Sequence, residues 1–445
     1  MKLDFLTKPF SVLEDFGISS KEKTAYFVII AVAVLLFIFA PSLLFGSIRY
    51  FVAFAPIWLP IVLAALFWRM WINYIRAKFI AEQDMVLLEI KVPRDIDKSP
   101  KAMEAVFSGI HIGIGESTFI DRSIKGKVRP WYSFELVSIE GSIHFYVWTR
   151  RFLKDIVESQ VYAQYPGVEI YEADDYATAM SVDLNKQSVW GCDFKLSKKD
   201  PYPIKTYIDY ELDRDPKEEY KIDPIAHLFE FLSLAKQGEN IWLQIIIRTN
   251  KDQTHKEGKW FEKEDRWKAE AKSEIAKIRE ETTFETESIL DPTVKVKGSP
   301  ILMSADREKV DAIQRSVGKQ AFDAGVRGVY IADKDSFNAN RIVGLTGVFK
   351  QFGSANLNGF QPTGWFIDYS YPWQEWFGAK NKTASWLIDA YRRRSWFHPP
   401  YKTDHYVLTT EELATIYHFP SRIIEAPGLS RIPSKKSEAP PNLPV

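Results

Sequence analysis

The residues best suited to chemistry lie in one basic and aromatic stretch near the C-terminal end of the chain. Its members are Arg392, Arg393, Arg394, Trp396 and Phe397. Cations along a groove, combined with aromatic rings on which bases stack, are a usual means of binding single-stranded nucleic acid. Two other interpretations stay open and together are favoured: the cations could complement the dipole at a helix C-terminus, or contact anionic lipid headgroups.

Two adjacent carboxylates, Asp174 and Asp175, are candidates for a metal or acid–base pair. They follow directly on a predicted strand, where adjacent acidic residues more often mark a solvated turn, and we adopt that interpretation. The seven histidines are scattered, and none has a histidine four residues away as in His-Glu-x-x-His sites. Cys192 is the only cysteine, so neither an intrachain disulfide nor a cysteine-based zinc site is available.

The sequence motifs of nucleotide-binding and acyl-transfer enzymes are missing from the chain. No Gly-x-x-x-x-Gly-Lys-Ser/Thr string occurs, and the Gly-x-Gly pair in GIHIGIGES follows a predicted helix instead of a strand. No Gly-x-Ser-x-Gly nucleophile elbow occurs either. We therefore predict that the protein is not an enzyme and that it uses no cofactor and no metal.

Length and charge limit the classes of protein further. The chain has 445 residues, 46% of them hydrophobic, which is enough for two or three domains of ordinary size. Its 58 basic residues balance 58 acidic ones. Wholesale electrostatic wrapping of nucleic acid needs a strong basic excess, so the composition excludes that mode and leaves only local, indirect contact.

Two long uncharged runs near the N-terminus predict membrane-spanning helices. Residues 26–45 and 50–68 are each long and apolar enough to cross a bilayer, and their short connector predicts a helical hairpin. A signal peptide fits poorly, because the first run is too long and begins only at residue 26. Cations flank the outer ends of the hairpin, so both termini and the soluble part are predicted to lie on the cytoplasmic side of the inner membrane. These cations are Lys21, Lys23, Arg69, Arg76 and Lys78.

The rest of the chain alternates strand and helix patterns. Between 84 and 180 the order is β-α-β-β-α-β, typical of a ferredoxin-like unit, with a tight turn at Glu140 and Gly141. A second α/β unit is predicted over 200–352 and begins with a strand in PIKTYIDYEL. The predicted fold class is α+β: a two-helix transmembrane hairpin, two ferredoxin-like units and an extended C-terminal tail. Whether the two units are a duplication stays open.

A charged insertion at 251–287 interrupts the second unit. Its mixed charges at helical spacing predict a solvated helix held by i,i+4 pairs. The alternative is a projecting helix that binds a partner through Trp260, Phe261 and Trp267. The predicted segments are an amphipathic N-terminus (1–22), the hairpin (23–80), the first unit (84–180), the second unit (200–352), an aromatic-rich packing region (353–420) and a linker-like tail (421–445).

The C-terminal segment contains a helix signal followed by a linker signal. Thr409 and Glu412 have the Ser/Thr-x-x-Glu spacing of a capping box, which predicts a short helix from Glu411 to Tyr417. After Pro420 the composition changes to Pro, Ser, Lys and Glu, which cannot bury a core and predicts an extended linker.

Several strings after residue 85 carry a resemblance to a known family. They are VLLEIKVPRDIDKSPKAMEAVFSGIH, WYSFELVSIEGSIHFYVWTRRF, DPIAHLFEFLSLAKQGENIWLQIIIRT, GVFKQFGSANLNGFQP and TTEELATIYHFPSRIIEAPGLSRIPSKKSEAPPNLP. Together they resemble the region that precedes the motor domain in conjugative-transfer ATPases of the type IV secretion coupling-protein type. In that family the last string leads into the motor, whose phosphate loop has no counterpart in this chain.

The resemblance implies a separate ATPase as partner and, by analogy with coupling proteins, a homo-oligomer. The ATPase would contact the tail, where the candidate residues are Phe419, Pro420, Ile423, Leu429, Lys435 and Lys436. The function predicted is thus a non-catalytic membrane subunit that positions a DNA- or protein-translocating ATPase. The alternative, from a different class, is an envelope scaffold or substrate-binding adaptor with no ATPase partner.

Overall fold

The computed structural model of the protein describes residues 49–50, 52–93, 98–116, 118–213, 223–255, 263–282, 285–287, 295–297, 303–369, 378–420, 428 and 431–432. These residues belong to two compact units. The smaller unit contains the chain up to Gln83 together with Ile114–Arg129 and Ser395–Asp404. The larger unit contains Asp84–Gly113, Pro130–Arg394 and the chain from His405 onward.

The smaller unit is built around one long helix, α1 (Ala55–Ala81). Its 27 residues rise about 1.5 Å each, so the helix is about 40 Å long. Among the described residues, α1 is the one helix that is long and apolar enough to cross a membrane. Most of its large apolar side chains are exposed, and Ile75 is buried. Pro56 lies in its first turn, where the missing N–H costs nothing.

The predicted hairpin of two membrane helices is wrong as a description of the fold. The structure contains one candidate apolar helix in its described part, and that helix extends 13 residues beyond the predicted end at 68, to Ala81. The first predicted span, 26–45, lies outside the described residues. The apolar run alone did not indicate that the helix would continue through Arg69, Arg76 and Lys78.

Short helices and strands alternate along the remaining chain. The other α-helices in the described residues are α2 (Pro100–Gly109), α3 (Phe119–Ser123), α4 (Lys154–Gln164), α5 (Tyr176–Ala179), α6 (Ile225–Ser233), α7 (Arg266–Glu281), α8 (Ser304–Val317), α9 (Ala339–Gly347), α10 (Ala379–Arg392) and α11 (Thr410–Ile416). The strands are β1 (Met85–Pro93), β2 (Tyr132–Ile139), β3 (Ser142–Arg150), β4 (Glu169–Ala173), β5 (Gln187–Leu196), β6 (Glu239–Thr249), β7 (Gln253–His255), β8 (Lys263–Asp265), β9 (Glu285–Glu287), β10 (Lys295–Lys297), β11 (Ala321–Asp333), β12 (Phe360–Thr363), β13 (Tyr406–Thr409) and β14 (Arg431–Ile432).

The larger unit contains one continuous antiparallel sheet of nine strands, to which β14 adds a short parallel pair with β1. Its order is β12-β5-β11-β6-β2-β3-β1, with β4 also on β1 and β13 also on β11. β2 and β6 pair along eight residues, so two halves meet at these strands to form one sheet. The predicted description as two separate units on a hairpin is therefore corrected to one sheet.

The two halves of this sheet repeat one topology. In the first half, the strands in space are β4-β1-β3-β2; in the second half they are β12-β5-β11-β6. In the first half, α2 connects β1 to β2, and β3 lies between these two strands. In the second half, α6 connects β5 to β6, and β11 lies between them. Both halves thus have the split βαβ arrangement. The matching order relates the halves by an approximate twofold axis at the β2–β6 junction. The open question of a duplication is thus answered at the level of topology.

The first strand of the second half is not where the sequence predicted it. The predicted strand in PIKTYIDYEL, residues 203–212, forms turns instead, and β5 (Gln187–Leu196) supplies the strand. Long-range contacts hold the turns in place: the backbone N–H of Ile204 donates to Glu412 at 2.9 Å, and that of Tyr207 to the Thr415 hydroxyl at 3.0 Å. The alternating apolar residues of this segment therefore serve packing against α11 instead of strand pairing.

The sheet is covered on both faces. On one face, α2, α4, α6, α9 and α11 pack against the large hydrophobic core. Tyr132, Phe134 and Leu136 of β2 belong to this core, whereas Ser133 and Glu135 point to the opposite face because strand side chains alternate. On that opposite face, α5 and α10 pack against Trp242 through Tyr176 and Tyr391, and the Trp365 ring lies 5.3 Å from the Arg327 guanidinium.

The charged insertion contains α7, which packs against α8 beyond the end of the insertion. The two helices bury a small cluster of their own, formed by Ala271, Ile278, Val310 and Ile313. Trp267 is also buried, so α7 is neither solvated all round nor a projecting helix. Trp260 and Phe261, which suggested a partner-binding helix, lie outside the described residues.

Candidate functional site

A row of polar side chains crosses the sheet on the face opposite the main core. Neighbouring members lie directly opposite each other in the strand register, and the row passes from the first half into the second at the β2–β6 junction. Most members are almost completely buried, which is unusual for charged groups unless they are paired. We call this set the polar row; its members are Glu89, Tyr146, Glu135, Gln244, Arg327 and Asp193.

Glu135 lies at the centre of the polar row, and its carboxylate is completely buried. Ser133 donates a hydroxyl hydrogen bond to it at 2.7 Å, and the Gln244 amide donates one at 3.1 Å. The Tyr176 hydroxyl donates to its other oxygen at 2.7 Å. Arg394 donates from Nε at 2.9 Å and from Nη2 at 3.2 Å. The carboxylate is thus saturated with donors, and one of them carries a full positive charge.

Arg394 bridges Glu135 to Asp175 on the short segment after β4. Its Nη2 donates to Asp175 at 2.9 Å, and its side chain is completely buried. Burial opposes ionisation of Asp175, but the hydrogen bond and charge of Arg394 outweigh it and hold the pKa of that carboxyl below its usual value. Burial likewise opposes the charge on Arg394, yet Glu135 and Asp175 keep its pKa raised well above normal. Asp175 and Arg394 are therefore both charged at neutral pH.

A second ion pair continues the polar row in the other half. Arg327 Nε donates to Asp193 at 2.7 Å, and both side chains are almost fully buried. The Arg327 guanidinium also lies 5.3 Å from the centre of the Trp365 ring, in cation–π distance. Arg394 and Arg327 are thus each held by carboxylates from the sheet or from its edges.

A cleft opens beside the polar row at the edge formed by β1, β3 and β4. Its wall includes Trp148, whose ring lies 5.5 Å from the Arg394 guanidinium, and Asp175. Arg151 and Glu172 form its exposed rim and pair with each other at 3.0 Å. Asp174 is exposed there, whereas Asp175 is only partly exposed and caps α5 through the Ala177 N–H. The prediction of a solvated turn therefore describes Asp174 and not Asp175.

The basic and aromatic residues predicted to form a contact surface do not lie together on the surface of the protein. Arg394 is buried in the ion cluster, and Arg392 donates to the carbonyls of Ala177 and Met180 at 2.8 and 2.7 Å. Arg393 is exposed and pairs with Asp389 one turn back in the same helix. Trp396 is buried. Since two of the three cations point inward, the cluster offers no joint contact for nucleic acid or lipid.

The helix C-terminus interpretation describes these arginines better. α10 ends at Arg392, and Arg393 follows it, so their charges lie at the negative end of the helix dipole. Arg394 adopts a left-handed backbone conformation with φ +48°, which turns the chain and directs its side chain into the protein.

Of the six predicted ATPase-contact residues, two are buried in the protein and four lie outside the residues that the structure describes. Phe419 is buried in the main core, against Phe145 and Tyr165, and Pro420 is also buried. Ile423, Leu429, Lys435 and Lys436 lie outside the described residues.

The tail is also not a free linker throughout its length. The Gly428 carbonyl accepts a hydrogen bond from the Ile143 N–H at 2.7 Å. Arg431 and Ile432 form β14 beside Val92 and Pro93 of β1. Parts of the predicted linker are therefore components of the sheet edge.

A second buried polar cluster surrounds the start of α11, and of its members only the capping-box pair Thr409 and Glu412 was predicted from the sequence. Glu412 closes the predicted capping box: its carboxylate accepts from the Thr409 N–H at 2.8 Å, and its own N–H donates to the Thr409 hydroxyl at 3.4 Å. Burial raises the pKa of Glu412 to about 7, although these backbone hydrogen bonds oppose the rise. Glu411 accepts from Thr206 at 2.6 Å and pairs with Arg315 at 3.1 Å.

Sequence reasoning missed the polar row, although a signal was present. Glu135 interrupts the apolar run WYSFELVSI, Gln244 interrupts IWLQIIIRT, and Arg327 interrupts the strand VRGVYIA. A single polar residue in the middle of a strand that is otherwise apolar on both faces predicts a buried, paired group. The partners could not be read from the strings, because Arg394 is 259 residues from Glu135.

The part of the chain that the structure describes contains no group of three or more His, Cys, Asp or Glu side chains arranged to hold a metal ion. A family model described as a domain of unknown function (DUF8128) matches residues 76–431, which is most of the chain. None of the curated proteins compared with the chain matches it.

Proposed function

We propose a function from the premise that the chain belongs to the DUF8128 family, a domain of unknown function. The protein is a non-catalytic, membrane-anchored subunit whose sheet unit holds a separate translocating ATPase at the membrane. The anchor, the lack of catalysis and the ATPase partner rest on different observations, and the anchor and the ATPase partner can be tested separately.

The observation that carries the proposal is the surface of α1. Its most apolar stretch of 18 residues has a mean hydropathy of 1.6 and is entirely unburied. The exposed side chains include Ile61, Leu63 and Phe67, at 67%, 54% and 65% exposure. A water-soluble protein rarely exposes a continuous apolar surface of this length, whereas a bilayer accommodates it without cost.

The polar row supports a structural role for the sheet unit. A catalytic acid, base or nucleophile needs access to a substrate atom. The carboxylate of Glu135 is instead enclosed by its donors, and Asp193 is engaged by Arg327. These ion pairs fix the covering segments to the sheet and make a rigid platform, which is what a positioning subunit needs.

The ATPase partner rests on the resemblance of this chain to the region ahead of a conjugative motor. That resemblance extends through the final string, which in the family leads into the motor itself. Residues 433–445 follow the last described strand and contain the cations Lys435 and Lys436. They are the segment of the tail through which we expect the ATPase to bind.

Membrane anchorage is tested by extraction of native membranes with alkaline carbonate. The full chain is expected to stay in the pellet, because α1 spans the bilayer. Replacing Ile61, Leu63 and Phe67 together by Glu should release the protein into the supernatant. The matched control is Val343→Glu, which charges an equally exposed apolar residue on α9 of the sheet unit. Release of the full chain by carbonate alone would refute the anchor.

The ATPase partner is tested by photocrosslinking in native membranes. A crosslinking amino acid placed at Lys436 should capture a phosphate-loop ATPase, whereas the same group at the exposed Arg307 on α8 should not. Capture of envelope proteins alone at position 436 would contradict the motor-positioning role. That outcome would favour the envelope scaffold, the alternative function predicted from the sequence.

A further inference from the structure

The loop Ile114–Arg129, which contains α3, packs along the last turns of α1 in the smaller unit. The Phe119 ring stacks on Trp68 at a centroid distance of 6.1 Å and an interplanar angle of 11°. Further along, the indole N–H of Trp71 donates to the Ser123 carbonyl at 3.0 Å. We call this segment the α3 loop.

A glycine fixes the end of this contact. Gly126 has φ +63°, a left-handed conformation that favours glycine. Its backbone lies so close to the Ile75 carbonyl of α1 that a Cβ atom would collide with it. The contacts therefore run from Trp68 to Ile75, a rise of about 10 Å along the helix axis at 1.5 Å per residue.

The α3 loop exposes its apolar side chains instead of burying them. Phe119, Ile120 and Ile124 are 61%, 53% and 58% exposed, and Ile114 is 43% exposed. Exposure of large apolar side chains to water is unfavourable, and their transfer into an apolar medium would be favourable. A cluster of such side chains around one short helix marks a contact surface.

The position of this cluster along α1 indicates what covers it. The uncharged run of α1 ends at Trp68, and the cations Arg69, Arg76 and Lys78 follow. Tryptophan next to cations at the end of an apolar helix is typical of the bilayer interface. Phe119 stacks on Trp68 itself, so the exposed surface of the α3 loop is continuous with the apolar surface of α1 at that level.

Charge on the α3 loop agrees with a lipid surface. Arg122 and Lys125 are exposed on the same short segment as Ile120 and Ile124. Short amphipathic segments that combine bulky apolar residues with cations lie in the membrane interface and bind anionic lipids more strongly than neutral ones.

We propose that the α3 loop is a second membrane contact, which inserts Phe119, Ile120 and Ile124 into the bilayer interface beside α1. This inference rests on the proposed membrane anchorage by α1. The partner is the lipid bilayer, with headgroups that carry negative charge preferred. The α3 loop then limits rotation and tilt of α1, because one helix alone leaves both free.

The lone cysteine makes a direct test practicable. Cys192 is completely buried, and burial raises the pKa of its thiol, so it reacts slowly with labels. Single exposed cysteines can therefore be labelled with an environment-sensitive fluorophore in the otherwise unchanged full chain. The positions are Ile120→Cys on the α3 loop, Leu63→Cys on α1 and Val343→Cys on α9 as a water-exposed reference.

The labelled proteins are placed in nanodiscs of phosphatidylcholine, alone or mixed with phosphatidylglycerol, that contain a lipid-attached quencher. We expect quenching and a blue-shifted emission at position 120, intermediate between strong quenching at 63 and none at 343. Adding phosphatidylglycerol should increase the quenching at 120 and leave that at 63 unchanged.

The outcomes separate this inference from the anchor on which it rests. Quenching at 63 with a water-like signal at 120 overturns the α3 loop contact and leaves the anchor in place. A signal at 120 that is shielded from both lipid and aqueous quenchers means that protein covers the loop, which also overturns it. Absence of lipid quenching at both 63 and 120 refutes the anchor and this inference together.

Discussion

The buried ion cluster predicts a large and specific loss of stability when Arg394 is replaced by Met. Methionine keeps much of the volume of the arginine stem but removes the charge and the donors to Glu135 and Asp175. Glu135 is completely buried and would lose its cation where water cannot replace it, whereas Asp175 is 29% exposed and can be hydrated. Removing one partner of a buried ion pair costs about 3–5 kcal/mol.

Three hydrogen bonds reduce this loss but cannot cancel it. Ser133, Tyr176 and Gln244 would still donate to Glu135, so we expect the lower part of that range. For a unit of this size, about 2 °C of melting temperature corresponds to 1 kcal/mol, so a loss of about 3–4 kcal/mol in Arg394→Met should lower the Tm by roughly 6–8 °C. The assay is thermal unfolding of the full chain in detergent micelles, followed by tryptophan fluorescence.

The adjacent residue provides the control. Arg393 is 59% exposed and forms an ion pair only one turn away within the same segment, so Arg393→Met should change the free energy of unfolding by less than about 0.5 kcal/mol. In the double variant Glu135→Gln, Arg394→Met, the buried charge is gone and part of the loss should be recovered. Equal Tm values for the Arg393 and Arg394 variants would refute the assignment of Arg394 to a buried ion cluster.

Three further predictions concern the core and the tail. The folded state raises the pKa of Glu412 from 4.5 to about 7, so the protonated carboxyl stabilises the fold below pH 4.5, and this contribution, on the order of 3 kcal/mol, is lost as the pH rises through 7. The Tm should therefore fall between pH 4.5 and 7. A Glu412→Gln variant whose Tm falls equally over this window would contradict the assignment of the fall to Glu412. Gly141→Ala should cost at least about 1 kcal/mol, since Gly141 has φ +91° and a Cβ would lie 2.6 Å from a backbone carbonyl. In the same unfolding assay Gly347→Ala should not destabilise the protein, because a Cβ there would meet only the Lys350 side chain, at 3.9 Å. Deleting 433–445 should leave the Tm unchanged, whereas deleting 421–445 removes β14 and should lower it; equal values would show that β14 contributes nothing.

Local signals predicted the elements that depend on neighbouring residues. The capping box at Thr409 and Glu412 is present with both of its hydrogen bonds, and the helix it starts is α11. Glu140 and Gly141 form a two-residue hairpin turn, both with positive φ, as the tight turn between two apolar strands predicted. The capping box and the hairpin turn each involve no more than four consecutive residues, so both can be recognised from the local sequence alone.

Features that depend on distant residues could not be predicted in this way. Residues 203–212 have the alternation of a strand, but α11 supplies hydrogen-bond partners that hold them as turns. The three consecutive arginines look like one basic patch in the sequence. Their directions are set by the helix end at Arg392, the left-handed backbone of Arg394 and a carboxylate 259 residues away.

The approximate symmetry of the sheet explains where the charged insertion belongs. In the first half, the second and third strands, β2 and β3, are joined by the two-residue turn Glu140–Gly141. In the second half, the equivalent strands, β6 and β11, pair just as closely but are separated by residues 250–320. Residues 250–320, which include the charged insertion 251–287, are therefore an enlarged hairpin loop, placed where the fold tolerates extra residues without disturbing the register.

The end of this enlarged loop is bound firmly to the helix layer. Arg315 of α8 pairs with Glu411, and Lys319, between α8 and β11, pairs with Glu104 of α2 at 2.6 Å. Glu411 belongs to α11, so the enlarged loop, the first half and the C-terminal helix meet in one charged cluster. Each of these carboxylates is buried and has a cation from the end of the enlarged loop. Removing this loop would leave both carboxylates without a cation, so the loop is a structural component of the sheet unit and not a detachable arm.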